Sequence, residues 1–192
     1  MSLTAVDGRT IRREKSRQCI ISAVTQLLDA GEIEPTAEQV AKAAGVTMRT
    51  VFRHFDDMES LYREIILDMQ SQLDVLRVEY DPDTDWRVQF DQLILRRTGI
   101  FERLMTRTRA SQALRHRSKV MDEDAQQNAT RMRHTLEKFL PDSLVADTMA
   151  FAAVEVLLSS EVWNRLRRDQ NLSVERATEV IQHGVAAILK DS

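Results

Sequence analysis

The chain has 192 residues, of which 30% are charged and 43% are hydrophobic, and its formal net charge is −3. This length is enough to bury a sizeable core, as one domain or as two small ones. Only five glycines and three prolines are present, and this scarcity of turn formers favours long helices and predicts an all-α fold. The net charge alone does not suggest nucleic-acid binding, so charge must be considered segment by segment.

The chain has a single cysteine, Cys19, which excludes a disulfide framework and fits a reducing cytoplasm. Cys19 falls within an apolar helical pattern and is predicted to be a small buried hydrophobe. No apolar run reaches the roughly 18 residues that span a bilayer, and the N-terminus lacks the apolar core of a signal peptide. We therefore expect a cytoplasmic protein that does not associate with a membrane.

The first helix is predicted over residues 10–30, after a disordered segment formed by residues 1–9. Its apolar stripe recurs at helical spacing and stops at Gly31, a residue type that often ends helices. The stripe consists of Ile20, Val24, Leu27 and Leu28. Four basic residues crowd the first half of the helix and form, in the simplest interpretation, a solvated face: Arg12, Arg13, Lys15 and Arg17.

Residues 36–55, TAEQVAKAAGVTMRTVFRHF, predict two short helices joined by a tight turn. Thr36 can cap the first helix, and Gln39, three residues later, can complete a capping box. Gly45 breaks the helix because glycine enters the left-handed conformation without steric cost. Thr47 is the predicted N-cap of the second helix. This is the helix-turn-helix pattern, in which the second helix enters the DNA major groove.

The outward face of the second helix is rich in hydrogen-bond donors that suit phosphates and base edges. An ordinary helical hairpin is the alternative, but the small Ala41 and Ala44 favour helices that cross closely at a steep angle. We therefore predict that this segment binds double-stranded DNA. The predicted DNA-contacting residues are Thr36, Thr47, Arg49, Thr50, Phe52, Arg53 and His54.

The next helix is predicted from Asp56 to about Glu79, with Glu59 as the capping-box partner of Asp56. The sequence YDPDTD at residues 80–85 is the clearest loop in the chain. We expect the long helix to serve as a pivot between the DNA-reading helices and the rest of the protein.

Three further helical segments are predicted before the last proline, Pro141. A helix that begins near Trp86 is predicted to end at Gly99, and residues 100–115 to form one short helix or two. Another helix is predicted over residues 118–140.

The most apolar helix is predicted to run from Asp142 to about Arg168. Between Met149 and Leu158 it is hydrophobic nearly all round, so it must bury more than one face. A last helix is predicted after a cap at residues 171–173, and its small Ala177 and Gly184 permit close approach of a neighbouring helix.

The pattern AxxAGVTxRTVFRHFxxxxxL, at residues 41–61, resembles the DNA-binding signature of the TetR family of bacterial transcriptional regulators. The resemblance implies a homodimer with an N-terminal helix-turn-helix domain, here residues 9–60, and a C-terminal domain, residues 61–192, for dimerisation and ligand binding. It also implies a repressor that a small-molecule ligand releases from its operator. The basic residues of the first helix would then steer the DNA backbone.

Two residues depart from the family pattern at positions that commonly contact phosphates. Phe52 stands where the family commonly has tyrosine, and Met58 where it commonly has lysine. These departures affect the expected affinity for the DNA backbone but not the expected fold. Arg53 and His54 match the family and can take the phosphate-binding role.

The segment from Arg96 to Lys119 contains eight basic residues and one acidic residue, Glu102. A solvated basic surface, a site for an anionic ligand and a second nucleic-acid surface are the three explanations. Glu155 lies inside the apolar sequence AAVEVLL and needs a partner if it is buried. It either pairs at an edge or across the dimer, or lies in the ligand cavity.

The resemblance implies a ligand pocket among the C-terminal helices, although each candidate lining residue is equally compatible with an ordinary core. The candidates are Phe90, Phe101, Leu104, Met105, Met121, Met132, Phe151, Glu155 and Trp163. The histidines lack metal-ligand spacing, and phosphate loops and nucleophile elbows are missing, so we expect no catalytic residue, metal or cofactor. The alternative functions are a regulator controlled by a protein partner and an interaction module that no longer binds DNA.

Overall fold

The computed structural model describes residues 8–74 and 79–190, and within these ranges it contains helices and no strand, which confirms the all-α fold. A π-helical turn, Arg165–Asp169, follows directly on α9. The α-helices are α1 Gly8–Asp29, α2 Ala37–Ala43, α3 Met48–His54, α4 Met58–Asp74, α5 Trp86–Leu114, α6 Lys119–Phe139, α7 Asp142–Ala146, α8 Thr148–Leu157, α9 Ser160–Asn164 and α10 Val174–Lys190.

The described residues form two compact units, each with its own hydrophobic core. The first unit comprises residues 8–74 and 109–125, and the second comprises residues 79–108 and 126–190. The helices α5 and α6 therefore each contribute residues to both units. Residues 1–7, most of the segment predicted to be disordered, lie outside the described residues, whereas Gly8 and Arg9 are already part of α1.

The core of the first unit is built from the apolar faces of α1 to α4, with further buried residues from the end of α5 and the start of α6. The predicted stripe of α1 supplies buried Ile20, Val24 and Leu28, and Leu27 packs beside them. Cys19 is exposed to solvent, so the prediction that it is buried was wrong. Successive helix residues are about 100° apart, and Cys19 therefore falls beside the buried stripe instead of within it.

The start of α4 differs from the predicted cap. The helix begins at Met58, and the reciprocal pair is Asp57 with Ser60: the Ser60 N–H donates to Asp57 Oδ1 at 2.7 Å, and the Asp57 N–H donates to Ser60 Oγ at 3.3 Å. Glu59 instead accepts a hydrogen bond from the Val120 N–H at 3.0 Å. The predicted box of Asp56 and Glu59 was therefore wrong by one residue.

The far end of α4 is only partly described. Asp74 is its last described residue, and residues 75–78 lie outside the described residues. Glu79 itself is not helical, so the prediction that the helix continues to Glu79 was wrong at that residue. The predicted loop at residues 80–85 is confirmed.

The helix α5 is one continuous helix of 29 residues, so the predicted end at Gly99 was wrong. Gly99 is exposed, and a Cβ placed there would meet no atom within 4 Å. A glycine inside a helix costs only about 1 kcal/mol relative to alanine. The burial of the preceding residues, Arg97 and Thr98, anchors the helix where its own sequence would permit a break.

The region predicted as one helix from Asp142 to Arg168 is divided into α7, α8, α9 and the π-helical turn. Asp147 Oδ1 accepts hydrogen bonds from the N–H groups of Met149 and Ala150, which caps α8. Ser159 Oγ accepts from the Val162 N–H and caps α9. These short polar side chains end one helix and begin the next without any proline or glycine.

The helices α8 and α10 pack against each other in the second unit. A Cβ added to Gly184 would lie 3.0 Å from Leu157 Cδ1, and Ala177 is fully buried. The prediction that these small residues permit close helix approach is therefore confirmed. The other large contributors to this core are Phe90, Ile94, Leu136, Phe151, Trp163 and Ile181.

Candidate nucleic-acid interface

The turn between α2 and α3 is fixed by local hydrogen bonds and one glycine. The Gln39 N–H donates to Thr36 Oγ1 at 3.2 Å, and the Thr36 N–H donates to Gln39 Oε1 at 2.7 Å, so the predicted capping box is present. Gly45 has a φ of +66°, a value that side chains rarely tolerate. Thr47 Oγ1 accepts from the Thr50 N–H at 3.2 Å and caps α3 as predicted.

The helix α3 buries one residue and presents most of the others to solvent. Val51 is buried, and Phe55 at the end of the helix closes the same core. Arg49 and Arg53 are exposed, and Thr50 is half-buried beside Thr47, with the two hydroxyl oxygens 3.0 Å apart. This arrangement leaves two guanidinium groups available for base edges or phosphates.

Two large apolar side chains also lie on the outward face of α3. Met48 is 46% exposed and Phe52 is 45% exposed. They are four residues apart, so they share one helix face. The sequence reasoning missed Met48, although its spacing from Phe52 and its position next to the Thr47 cap could have indicated it. Met58, the second departure from the family pattern, packs against the core of the first unit.

His54 ends α3 with both ring nitrogens buried and without a hydrogen-bond partner among the described residues. Burial lowers the pKa of His54, and the positive charges of Arg53, Arg13 and Arg17 lower it further. The imidazole is therefore neutral near pH 7 and retains one N–H donor and one acceptor.

The basic residues of α1 are divided between two roles. Arg17 forms an ion pair with Glu64 at 2.5 Å, and its guanidinium carbon lies 5.6 Å from the centre of the Phe55 ring. Arg12 and Arg13 are exposed. Arg13 and Arg17 both lower the pKa of His54 electrostatically. The positive charges of α1 therefore act on the residue that ends α3.

Residues 20–65 match the sequence model of a family described as bacterial regulatory proteins, tetR family. The match covers the second half of α1, all of α2 and α3, and the start of α4. This segment of the chain is therefore similar to the TetR family. This match, together with the capped helices α2 and α3, supports a DNA-binding transcriptional regulator.

A crystal structure of a transcriptional regulator from Rhodococcus sp. Rha1 resembles this chain with a TM-score of 0.63. The likeness covers 93% of this chain and 96% of the Rhodococcus chain. At 14% sequence identity it shows a shared fold alone. No curated protein matches the chain by sequence.

The candidate ligand-binding residues lie in three kinds of surroundings. Phe90, Phe151 and Trp163 are buried in the second core and Met121 in the first, whereas Phe101 is half-buried against the second core. Leu104, Met105 and Met132 are half-buried and lie outside both core clusters. Glu155 is half-buried and accepts a hydrogen bond from Arg133 at 2.8 Å.

Basic residues of the segment from Arg96 to Lys119 form ion pairs with carboxylates outside the segment. Arg115 pairs with Asp122 at 3.0 Å, and Arg117 pairs with Glu34 at 2.6 Å. In the second unit, Glu102 accepts hydrogen bonds from Trp163 Nε1 and from Arg167, which hold the pKa of this carboxyl below its usual value. In the described ranges, every helix is too short or too polar to cross a membrane.

Proposed function

We propose that this chain is a TetR-family repressor that binds operator DNA as a homodimer and is released by a small-molecule ligand. The observation that carries the proposal is the outward face of α3, where Arg49 and Arg53 are exposed together with the ring of Phe52. Selection of genomic DNA fragments by the purified protein tests it.

In this proposal, the residues of α3 have separate tasks. Arg49 reads a base edge from the first turn of the recognition helix, and Thr47, Thr50, Arg53 and His54 contact phosphates. Thr36, an exposed residue that caps α2, supplies the remaining backbone contact. A second copy would place the same residues on a neighbouring half-site about 34–36 Å away, or a multiple of that distance.

Arg49→Ala is expected to weaken binding to the selected operator by about 1–3 kcal/mol and to relax its sequence preference. The truncation removes a guanidinium that can bond guanine at two atoms. Competition binding with operator and random duplexes measures the effect. His54→Ala should lower the affinity for the operator and the affinity for the random duplex equally. The control is Arg103→Ala, at an exposed position of α5, which should change neither of these affinities. An unchanged preference in Arg49→Ala would show that another residue reads the base.

Phe52→Tyr is expected to tighten binding severalfold, and equally for operator and random DNA. The added hydroxyl can donate one hydrogen bond to a phosphate, and a net hydrogen bond contributes about 0.5–1.5 kcal/mol. The Phe52 ring is already largely exposed, so the hydroxyl replaces no core contact. The measurement is the affinity ratio of variant to wild type on both duplexes. Weaker binding by a folded variant would place this residue away from the DNA backbone.

The proposed dimer uses the exposed apolar residues of α8 and α10. Met149 is 80% exposed, Val156 is 61% exposed and Val180 is 40% exposed in the single chain. Large exposed apolar patches in soluble proteins mark interaction surfaces. A two-fold axis along this surface would pair α8 and α10 with their own copies and form a four-helix bundle.

A further inference from the structure

Arg97 lies in the middle of α5 with its charge almost completely buried. Its side chain is 4% exposed, and its Nη2 donates to the Met132 carbonyl oxygen at 2.7 Å. Within the described residues this is its one hydrogen bond, and it takes part in no ion pair. A guanidinium has five N–H donors, so Arg97 keeps N–H groups that can donate to a further acceptor.

The surroundings of Arg97 compensate its charge only in part. The opposing charge that acts on Arg97 is Glu155, which favours the charged guanidinium. That carboxylate is already bonded to Arg133 at 2.8 Å. Burial therefore prevails and lowers the pKa of Arg97 to about 10. The group remains positive at neutral pH, in a place where an uncompensated charge is unfavourable.

An apolar surface continues from Arg97 along the same face of α5. Phe101, Leu104 and Met105 follow at intervals of four, seven and eight residues, and such positions share one helix face. All three are half-buried, and Leu104 and Met105 lie outside the two core clusters. Met132, whose carbonyl holds Arg97, is likewise half-buried and outside both clusters. This face therefore combines one buried cation with Phe101, which packs against the second core, and with Leu104 and Met105, which belong to neither core.

We propose that this face of α5 binds a small amphipathic carboxylate, with the carboxylate on Arg97 and the apolar body along Phe101, Leu104 and Met105. The proposal rests on the proposed release by a ligand and names the chemical class of that ligand. A planar carboxylate can accept two parallel N–H bonds from a guanidinium. One negative charge matches the one buried positive charge, whereas a phosphate dianion would leave a second charge buried without a partner.

The length of the apolar stripe defines the probe. Arg97 and Met105 are eight residues apart, which corresponds to about 12 Å along a helix that rises about 1.5 Å per residue. An extended chain of about ten carbons has this length. Decanoate is therefore the probe, and methyl decanoate is its uncharged control.

The test is a titration of the full chain with both compounds below their aggregation concentrations, followed by calorimetry. Decanoate should bind at least tenfold more tightly than methyl decanoate. Arg97→Met should abolish that preference, and Arg103→Met, which removes an exposed arginine of the same helix, should retain it. Equal affinities for acid and ester, an unchanged preference in Arg97→Met, or no binding of decanoate would overturn the proposal.

A thermal melt without probe separates a binding role of Arg97 from a structural one. Methionine keeps the unbranched apolar stem and removes the buried charge, so Arg97→Met should melt at the wild-type temperature or above it. A clearly lower melting temperature would show that Arg97 stabilises the fold through Met132, and the binding proposal would be rejected.

Operator binding with and without probe distinguishes the two proposals. If decanoate binds through Arg97 but leaves operator affinity unchanged, the carboxylate site stands and ligand-gated release fails. If methyl decanoate releases wild type and Arg97→Met equally, release stands and the carboxylate site fails.

Discussion

Val156→Arg is expected to convert the protein from a dimer to a monomer and to lower operator affinity by about 10²- to 10⁴-fold, the usual gain from linking two binding events. Val156 is 61% exposed on α8, the helix that also carries the 80% exposed Met149. At a two-fold interface each substitution occurs twice. Two arginines would then be buried in an apolar surface without partners, which is strongly unfavourable.

Sedimentation velocity and operator titration of the same samples measure the two effects. The matched control is Val88→Arg, which introduces the same charge at a 50% exposed valine of α5, and this variant should remain a dimer with wild-type operator affinity. If Val156→Arg remained a dimer, or if it became a monomer without loss of operator affinity, the proposed interface or the proposed two-site binding would be wrong.

The part of the fold that sequence predicts best is the turn between α2 and α3. Thr36, Gly45 and Thr47 each act within three residues of their partners or through their own backbone. Such interactions depend on local sequence and hardly on the rest of the chain. The burial of Val51 follows from helical spacing for the same reason.

The boundaries that sequence missed depend on contacts between distant residues. Gly99 does not end α5 because the burial of Arg97 and Thr98 outweighs the modest propensity of one glycine. Asp147 and Ser159 end helices inside an apolar run, where an aspartate or serine can equally face solvent within a helix. Local sequence does not distinguish these outcomes.

The candidate ligand residues show a similar limit. Trp163 and Leu104 are both large apolar side chains at helical spacing, yet Trp163 is fully buried in the second core and Leu104 lies outside both cores. Hydrophobicity alone does not distinguish a core residue from a residue that lines a ligand pocket. Arg97 carried no sequence signal of its own among eight basic residues, because its burial arises from the packing of α5.

A ligand that releases the operator is expected to lower DNA affinity by about 5- to 150-fold, and the operator must lower ligand affinity by the same factor. The range corresponds to a coupling free energy of about 1–3 kcal/mol. A ligand can shift the equilibrium between two states only by its differential affinity for them. The ligand and the operator must therefore change each other's affinity by the same factor, whichever helix moves between the two states.

The measurement uses one discovered ligand in two calorimetric titrations, of the free protein and of the protein saturated with operator. A third titration measures operator binding at saturating ligand and closes the thermodynamic cycle.

The matched control is a random duplex of equal length at the same salt concentration, because phosphate binding alone depends steeply on salt. The two helix-turn-helix domains of one dimer must match the spacing of the major groove at both half-sites. The ligand should therefore weaken binding to the operator more than binding to the random duplex. Equal ligand affinities with and without operator would exclude ligand-gated release, and control by a protein partner would then be the remaining form of regulation.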